Sequence, residues 1–207
     1  MIKILYEDNH VLVVEKPANI VVEDFFVLLK SDIKKRYNKP GNVYLGLVHR
    51  LDRNVGGVMV FAKTSKCASR LSKQMRERTI KKYYLALVHG RLKNKQGVLE
   101  HFLVKDKEKN KVEVKEQSVK DSKKANLSYR VIENRKNSSL VEIDLQTGRP
   151  HQIRAQFGFI GHPVYGDKKY GSDTRLEALC LWAFKLEFEH PVTKERLSFT
   201  SKPLFAL

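Results

Sequence analysis

The chain is short of the residues that staple a fold or reach out of water. Its 207 residues include two cysteines, Cys67 and Cys180, too few for a disulfide framework, and no CxxC spacing for zinc or dithiol chemistry. No stretch approaches the ~18 uninterrupted apolar residues of a membrane-spanning helix. The opening MIKILYEDNH places acids within eight positions and lacks the apolar stretch and cleavage site of a secretory signal. There is no solenoid-length repeat, collagen triplet or heptad run. Phosphate-binding loops of the GxxxxGK[ST] and GxGxxG types are missing, as are a GxSxG elbow and an HExxH pair. His49, Asp52 and His151 could in principle ligate a metal, but nothing in their spacing recommends it. These absences lead us to expect a soluble cytoplasmic protein with neither cofactor nor metal.

What the chain has in excess is positive charge. Forty Lys and Arg stand against twenty-three Asp and Glu, leaving +17. Such a balance favours a polyanionic partner, because each phosphate neutralised releases condensed counterions. The excess is also concentrated. From Lys63 to Lys95, eleven Lys or Arg meet one acid, Glu77, so +10 of the +17 lies in 33 residues. Between Lys105 and Lys124 eight lysines are offset by five acids, which reads as a solvated hairpin rather than a binding patch.

The apolar pattern places the elements. Apolar residues make up 42% of the chain, enough for a real core, and no linker divides it, so one domain over 1–207 is expected. Short strands are predicted at Lys3–Glu7, Val11–Lys16, Leu45–Val48 and 58–62. A helix is expected from Asp24 to Tyr37, with Phe25, Leu28, Leu29 and Ile33 at helical spacing. A second helix, capped by Ser65, runs to about Arg78. Ala68, Leu71 and Met75 share its apolar face, and Lys66, Arg70, Lys73, Arg76 and Arg78 make a basic stripe. Further strands are predicted at Lys82–His89, Val98–Val104 and Lys111–Lys115, then a hairpin at Ala125–Glu133 and Leu140–Leu145. The turn Thr147-Gly148-Arg149-Pro150 starts a third helix, with Ile153 and Phe157 inward and Gln152, Arg154 and Gln156 outward. Strands at Leu181–Phe188 and Arg196–Thr200 close the chain. Strands outnumber helices and hairpins outnumber βα alternations, so the class is α+β with a mixed, mostly antiparallel sheet.

One carboxylate stands in an unusual place. Asp52 lies in a turn between apolar segments, flanked by Arg50 and Arg53. Neighbouring cations hold such a group ionised, ready to act as nucleophile or base. A turn cap or a simple arginine pair is the plainer reading of the same residues.

VHRLDRNVGGVMVFAKT at 48–64 resembles the catalytic motif HRLDxxTSG of the RluA family of pseudouridine synthases. Further blocks are similar in the family's order: KPANIVV at 16–22, KKYYLALVHG at 81–90, LQTGRPHQIRAQFGFIGHPVYGDKKYG at 145–171 and LCLWAFKLEFEHPVT at 179–193. The resemblance implies the pseudouridine synthase fold, flanking helices around a central RNA-binding cleft, and isomerisation of a specific uridine in structured RNA, ribosomal or transfer. It makes Asp52 the essential aspartate that breaks the C1′–N1 bond. Tyr84 is then the tyrosine on the extruded base, and Arg154 the cation paired with the aspartate. Leu181 lies beneath the uracil, and Arg50 fills the gap the flipped nucleotide leaves. Lys73 and Arg76, on the basic helix, become candidate RNA contacts.

Two departures stand out. Asn54-Val55-Gly56 replaces the family's Asp-Thr-Ser, and Trp182 stands where histidine is usual. With no N-terminal RNA-binding domain expected, target selection falls to the catalytic domain, acting as a monomer. The competing reading is a non-catalytic RNA-binding or ribosome-assembly protein on the same scaffold, which would have no use for a buried carboxylate. A base hydrolase is weaker still, because no second carboxylate is at hand to activate water.

Overall fold

A computed structural model describes residues 2–106, 108, 110–171 and 178–206. In chain order the elements are β1 (Lys3–Glu7), β2 (Val11–Lys16), α1 (Val22–Arg36), β3 (Gly46–Leu47), β4 (Gly56–Ala62), α2 (Ser65–Glu77), β5 (Lys81–His89), β6 (Gln96–Asp106), β7 (Lys111–Lys115), β8 (Lys123–Asn134), β9 (Ser138–Asp144), α3 (Gln152–Phe159), β10 (Leu181–Glu189) and β11 (Arg196–Thr200), then a single 3-10 turn at Leu204–Ala206. This is an α+β fold. Among the described residues no helix is long and apolar enough to cross a membrane. The chain forms two compact units, Met1–Lys81 with Ala183–Lys202, and Lys82–Trp182 with Pro203–Leu207.

In the first unit β2 lies between β1 and β4, antiparallel to both, and β11 pairs antiparallel with β10. Strands β2 and β4 are buried along nearly their whole length because both faces are covered. Val11, Val13, Val58, Val60 and Ala62 point to one face, where Cys67 and Leu71 of α2, Ile80, Leu186 and Phe188 complete a core cluster. The alternate residues Leu12, Val14, Met59 and Phe61 point the other way. Helix α1, which buries Phe25, Leu29 and Ile33, covers that side, with Phe26 and Phe61 ring centroids 6.2 Å apart. Acidic Glu23 and Asp24 open α1 and Lys34, Lys35 and Arg36 close it, which suits the helix dipole.

Helix α2 starts one residue earlier than the serine suggests. Thr64 is the cap, its hydroxyl accepting the Cys67 N–H at 3.2 Å, and Ser65 is the first helical residue. The helix ends at Arg78, which adopts the left-handed conformation. Its buried side also includes Gln74, whose amide donates to the Glu189 carbonyl at 2.8 Å and accepts the Glu189 N–H at 3.1 Å.

The second unit is an antiparallel sheet in the order β5-β9-β8-β6-β7. The hairpin expected at Ala125–Glu133 and Leu140–Leu145 forms as β8 and β9. Helix α3 departs from expectation. Gln152, Arg154 and Gln156, expected to face outward, are all buried, and every residue from 152 to 157 lies inside. The two glutamines donate to strand carbonyls. Gln152 Nε2 donates to Asn126 O at 3.1 Å, and Gln156 Nε2 reaches Leu99 O at 3.1 Å and Ala125 O at 3.2 Å. Pro150 precedes the helix rather than opening it: His151, at φ 51°, is the cap residue.

Candidate active-site residues

The turn that carries Asp52 is held from several directions within the first unit. Leu51 and Val55 are buried on either side of the half-buried Asp52, and the Val55 N–H donates to the Asp52 carbonyl at 3.0 Å. Upstream, His49 Nε2 accepts the Val60 N–H at 3.1 Å, tying the approach to the turn onto β4. Downstream, Gly57 sits at φ 124°, and a Cβ there would fall 2.2 Å from the Ala183 carbonyl oxygen, so only glycine lets β4 run so close to that backbone.

Beneath this turn lies a residue to which sequence reasoning gave no role. Lys16, at the end of β2 and opposite Gly57, is fully buried. Its ammonium donates to the carbonyls of Pro17 and Ile20, both at 2.8 Å, and of Arg53 at 3.3 Å. Burial lowers its pKa to about 8, against the opposing pull of the Asp52 charge. A lysine ending the apolar run VLVVEK and preceding proline was the available signal.

The other first-unit candidates are exposed. Arg50 forms an ion pair with Glu23 at the start of α1. On α2, Lys66, Lys73 and Arg76 face solvent, Lys73 lying 3.7 Å from Glu77. Arg70 is partly withdrawn from the stripe, donating to the Pro191 carbonyl at 2.6 Å.

Tyr84, Arg154 and Leu181 belong to the second unit. Tyr84 is buried on β5 opposite Ile143 of β9, and Leu181 is buried at the start of β10. Arg154 makes a two-pronged ion pair with Asp167, Nε to Oδ2 at 2.7 Å and Nη2 to Oδ1 at 2.9 Å. Asp167 is the second residue without a role in the sequence reading, although it stands in the block GDKKYG at 166–171. Among the described residues no three His, Cys, Asp or Glu side chains converge as a metal site.

Comparison with known proteins fits this scaffold. A family model described as RNA pseudouridylate synthase matches residues 10–158. The chain belongs to the RNA pseudouridylate synthase family. It is similar to ribosomal large subunit pseudouridine synthase D of Nitrosomonas europaea, 35% identical over 97% of this chain and 61% of the relative. It is also similar to ribosomal large subunit pseudouridine synthase C of Vibrio vulnificus, 35% identical over 96% of this chain and 64% of that one. The chain therefore spans less than two thirds of these curated relatives. Among solved structures it resembles human RNA pseudouridylate synthase domain containing 4, with a TM-score of 0.84, 25% identity, and coverage of 98% of this chain and 89% of that one.

Proposed function

We propose that this protein is an RNA pseudouridine synthase that converts a specific uridine of large-subunit ribosomal RNA into pseudouridine, residues 1–207 working as one catalytic domain. The observation that carries the reading is the family match over residues 10–158, which spans the Asp52 turn, Tyr84 and Arg154. The similar proteins are named as ribosomal large subunit pseudouridine synthases, which supports ribosomal RNA over transfer RNA as the target.

In this reading the uridine is first extruded from its helix, because its glycosidic bond is unreachable inside the stack. Arg50 leaves Glu23 and occupies the gap. Asp52 acts at the ribose as the C1′–N1 bond breaks, its carboxylate stabilising or trapping the positive charge at C1′ while the electron pair stays on the uracil. The detached uracil turns over Leu181 and bonds to C1′ through C5. The C5 proton then leaves, with Tyr84 placed to receive or relay it, and N1 gains a proton. Arg154 supplies the positive charge that favours the reactive carboxylate. Product and substrate are isomers, so the reaction consumes no co-reactant. The exposed cations of α2, Lys73 and Arg76, hold phosphates. We further propose that the protein acts as a monomer in the cytoplasm.

The test uses unmodified ribosomal and transfer RNA tritiated at uracil C5, incubated with the wild type and with Asp52→Asn. Tritium released into water by the wild type from ribosomal RNA, and none by the variant, is the expected result. Release from transfer RNA alone would move the target. Tight binding with no release from either RNA would leave an RNA-binding protein in place of an enzyme.

A further inference from the structure

We propose that Asp167 and Tyr170 are positioning residues that fix the Arg154 guanidinium; the inference rests on the assignment of Arg154 to the reaction. An arginine side chain is long and rotamer-rich, so one that must present charge at a set point needs restraint along its stem and in its plane. Asp167 provides the second. Its two oxygens take Nε and Nη2 in parallel, at 2.7 and 2.9 Å, and a fork of this kind sets the orientation of the whole guanidinium plane.

The carboxylate cannot drift with its partner. The Asp167 side chain is completely buried, and Oδ1 also accepts the backbone N–H groups of Lys169 at 3.0 Å and Tyr170 at 3.3 Å. Asp167 is thus anchored to its own turn before it meets Arg154. The same turn delivers a third restraint. The Tyr170 ring lies with its centroid 5.4 Å from the guanidinium carbon, within cation–π range.

Tyr170 is itself held at its far end. Its hydroxyl accepts the Val112 N–H of β7 at 2.9 Å and shares a hydrogen bond with His151 Nδ1, 2.9 Å away. His151 is the left-handed residue that starts α3, three positions before Arg154. One turn therefore grips the guanidinium through Asp167 and the start of its helix through Tyr170. A buried Arg–Asp pair contributes little net stability over apolar packing. What it does supply here is direction.

The experiment measures kcat and KM for tritium release, on whichever C5-labelled RNA the wild type uses, by Arg154→Ala, Asp167→Asn, Tyr170→Leu and the double variant Arg154→Ala/Asp167→Asn. A displacement of about 1 Å can cost roughly 10²-fold in rate. Asp167→Asn is expected to lose roughly that much in kcat with KM little changed, and Tyr170→Leu to lose kcat in the same sense. The double variant is expected to be no slower than Arg154→Ala alone, because residues acting through one group do not add. A wild-type kcat in Asp167→Asn beside a crippled Arg154→Ala would overturn the proposal and leave Arg154 in place. So would a loss confined to KM, or losses that multiply in the double variant. Wild-type turnover by Arg154→Ala would instead remove the assignment beneath it. Should circular dichroism show Asp167→Asn unfolded, Tyr170→Leu decides: a wild-type kcat there sinks the proposal.

Discussion

The ammonium of Lys16 lies beneath the turn of the candidate catalytic aspartate and holds the Arg53 carbonyl, one residue past Asp52, at 3.3 Å. It also satisfies Pro17 and Ile20, so a single buried side chain ties the end of β2, the loop into α1 and the Asp52 turn together. Replacing it with methionine leaves the carbonyls of Pro17, Ile20 and Arg53 without that donor, at a cost of roughly 1–3 kcal/mol in total. Urea unfolding of Lys16→Met at pH 7.5 checks this, and wild-type stability there would sink it.

The same lysine gives a pH signature. Its pKa in the fold is about 8 and its ordinary value is 10.5. Between those values the unfolded chain carries the extra proton, so the Lys16 contribution to stability grows as pH rises through this window. The stability gap between wild type and Lys16→Met is expected to widen from pH 7.5 to pH 10. A constant gap would mean that Lys16 titrates alike in both states.

His89 follows the same sign in a lower pH range. Its ring stacks on Tyr165 with centroids 3.6 Å apart, and burial lowers its pKa below the ordinary 6.5. On acidification the unfolded chain takes up this proton first, so the His89 contribution is intact above 6.5 and is lost as pH falls through the lowered value. Thermal unfolding between pH 7 and pH 5 should be less steeply pH-dependent in His89→Phe than in the wild type. Parallel slopes would contradict this.

At Gly57 the constraint is steric. Alanine would place Cβ 2.2 Å from the Ala183 carbonyl oxygen and would also strain a backbone at φ 124°. Gly57→Ala is expected to lose at least about 3 kcal/mol, measured by chemical denaturation. A fully stable variant would show that the two backbones separate easily.

The exposed face of α2 should report itself through salt. Lys73→Ala and Arg76→Ala should each weaken RNA binding, and each should make the slope of log affinity against log salt shallower by about 0.7 to 0.9 if it neutralises one phosphate. Filter binding across a salt series reads this directly. An unchanged slope would place the RNA on another surface.

The strands were legible because apolar patterning is a local property. The apolar run at Val11–Lys16, the alternation at Lys111–Lys115 and the hairpin expected at Ala125–Glu133 and Leu140–Leu145 announce themselves residue by residue. Helix α3 did not. Gln152, Arg154 and Gln156 look like a polar surface until the carbonyls of Leu99, Ala125 and Asn126 and the carboxylate of Asp167 are known to surround them. Lys16 and Asp167 escaped for the same reason. Part of what holds each charge lies outside its own segment: Arg53 is 37 residues from Lys16, and Arg154 is 13 from Asp167. The Asp52 turn was readable as a candidate from its flanking arginines and its family motif. Its support was not, since Gly57 is required by Ala183, more than a hundred residues downstream.

Helix α3 turns no residue from 152 to 157 toward solvent. Side chains there pack inside the fold, so that stretch has few neutral positions in which to accumulate change. Helix α2 differs, with Lys66, Lys73 and Arg76 facing water and Lys73 near Glu77 of the same helix. In descendants of this chain, change has room on the outer face of α2, while residues 152–157 are inherited whole or lost.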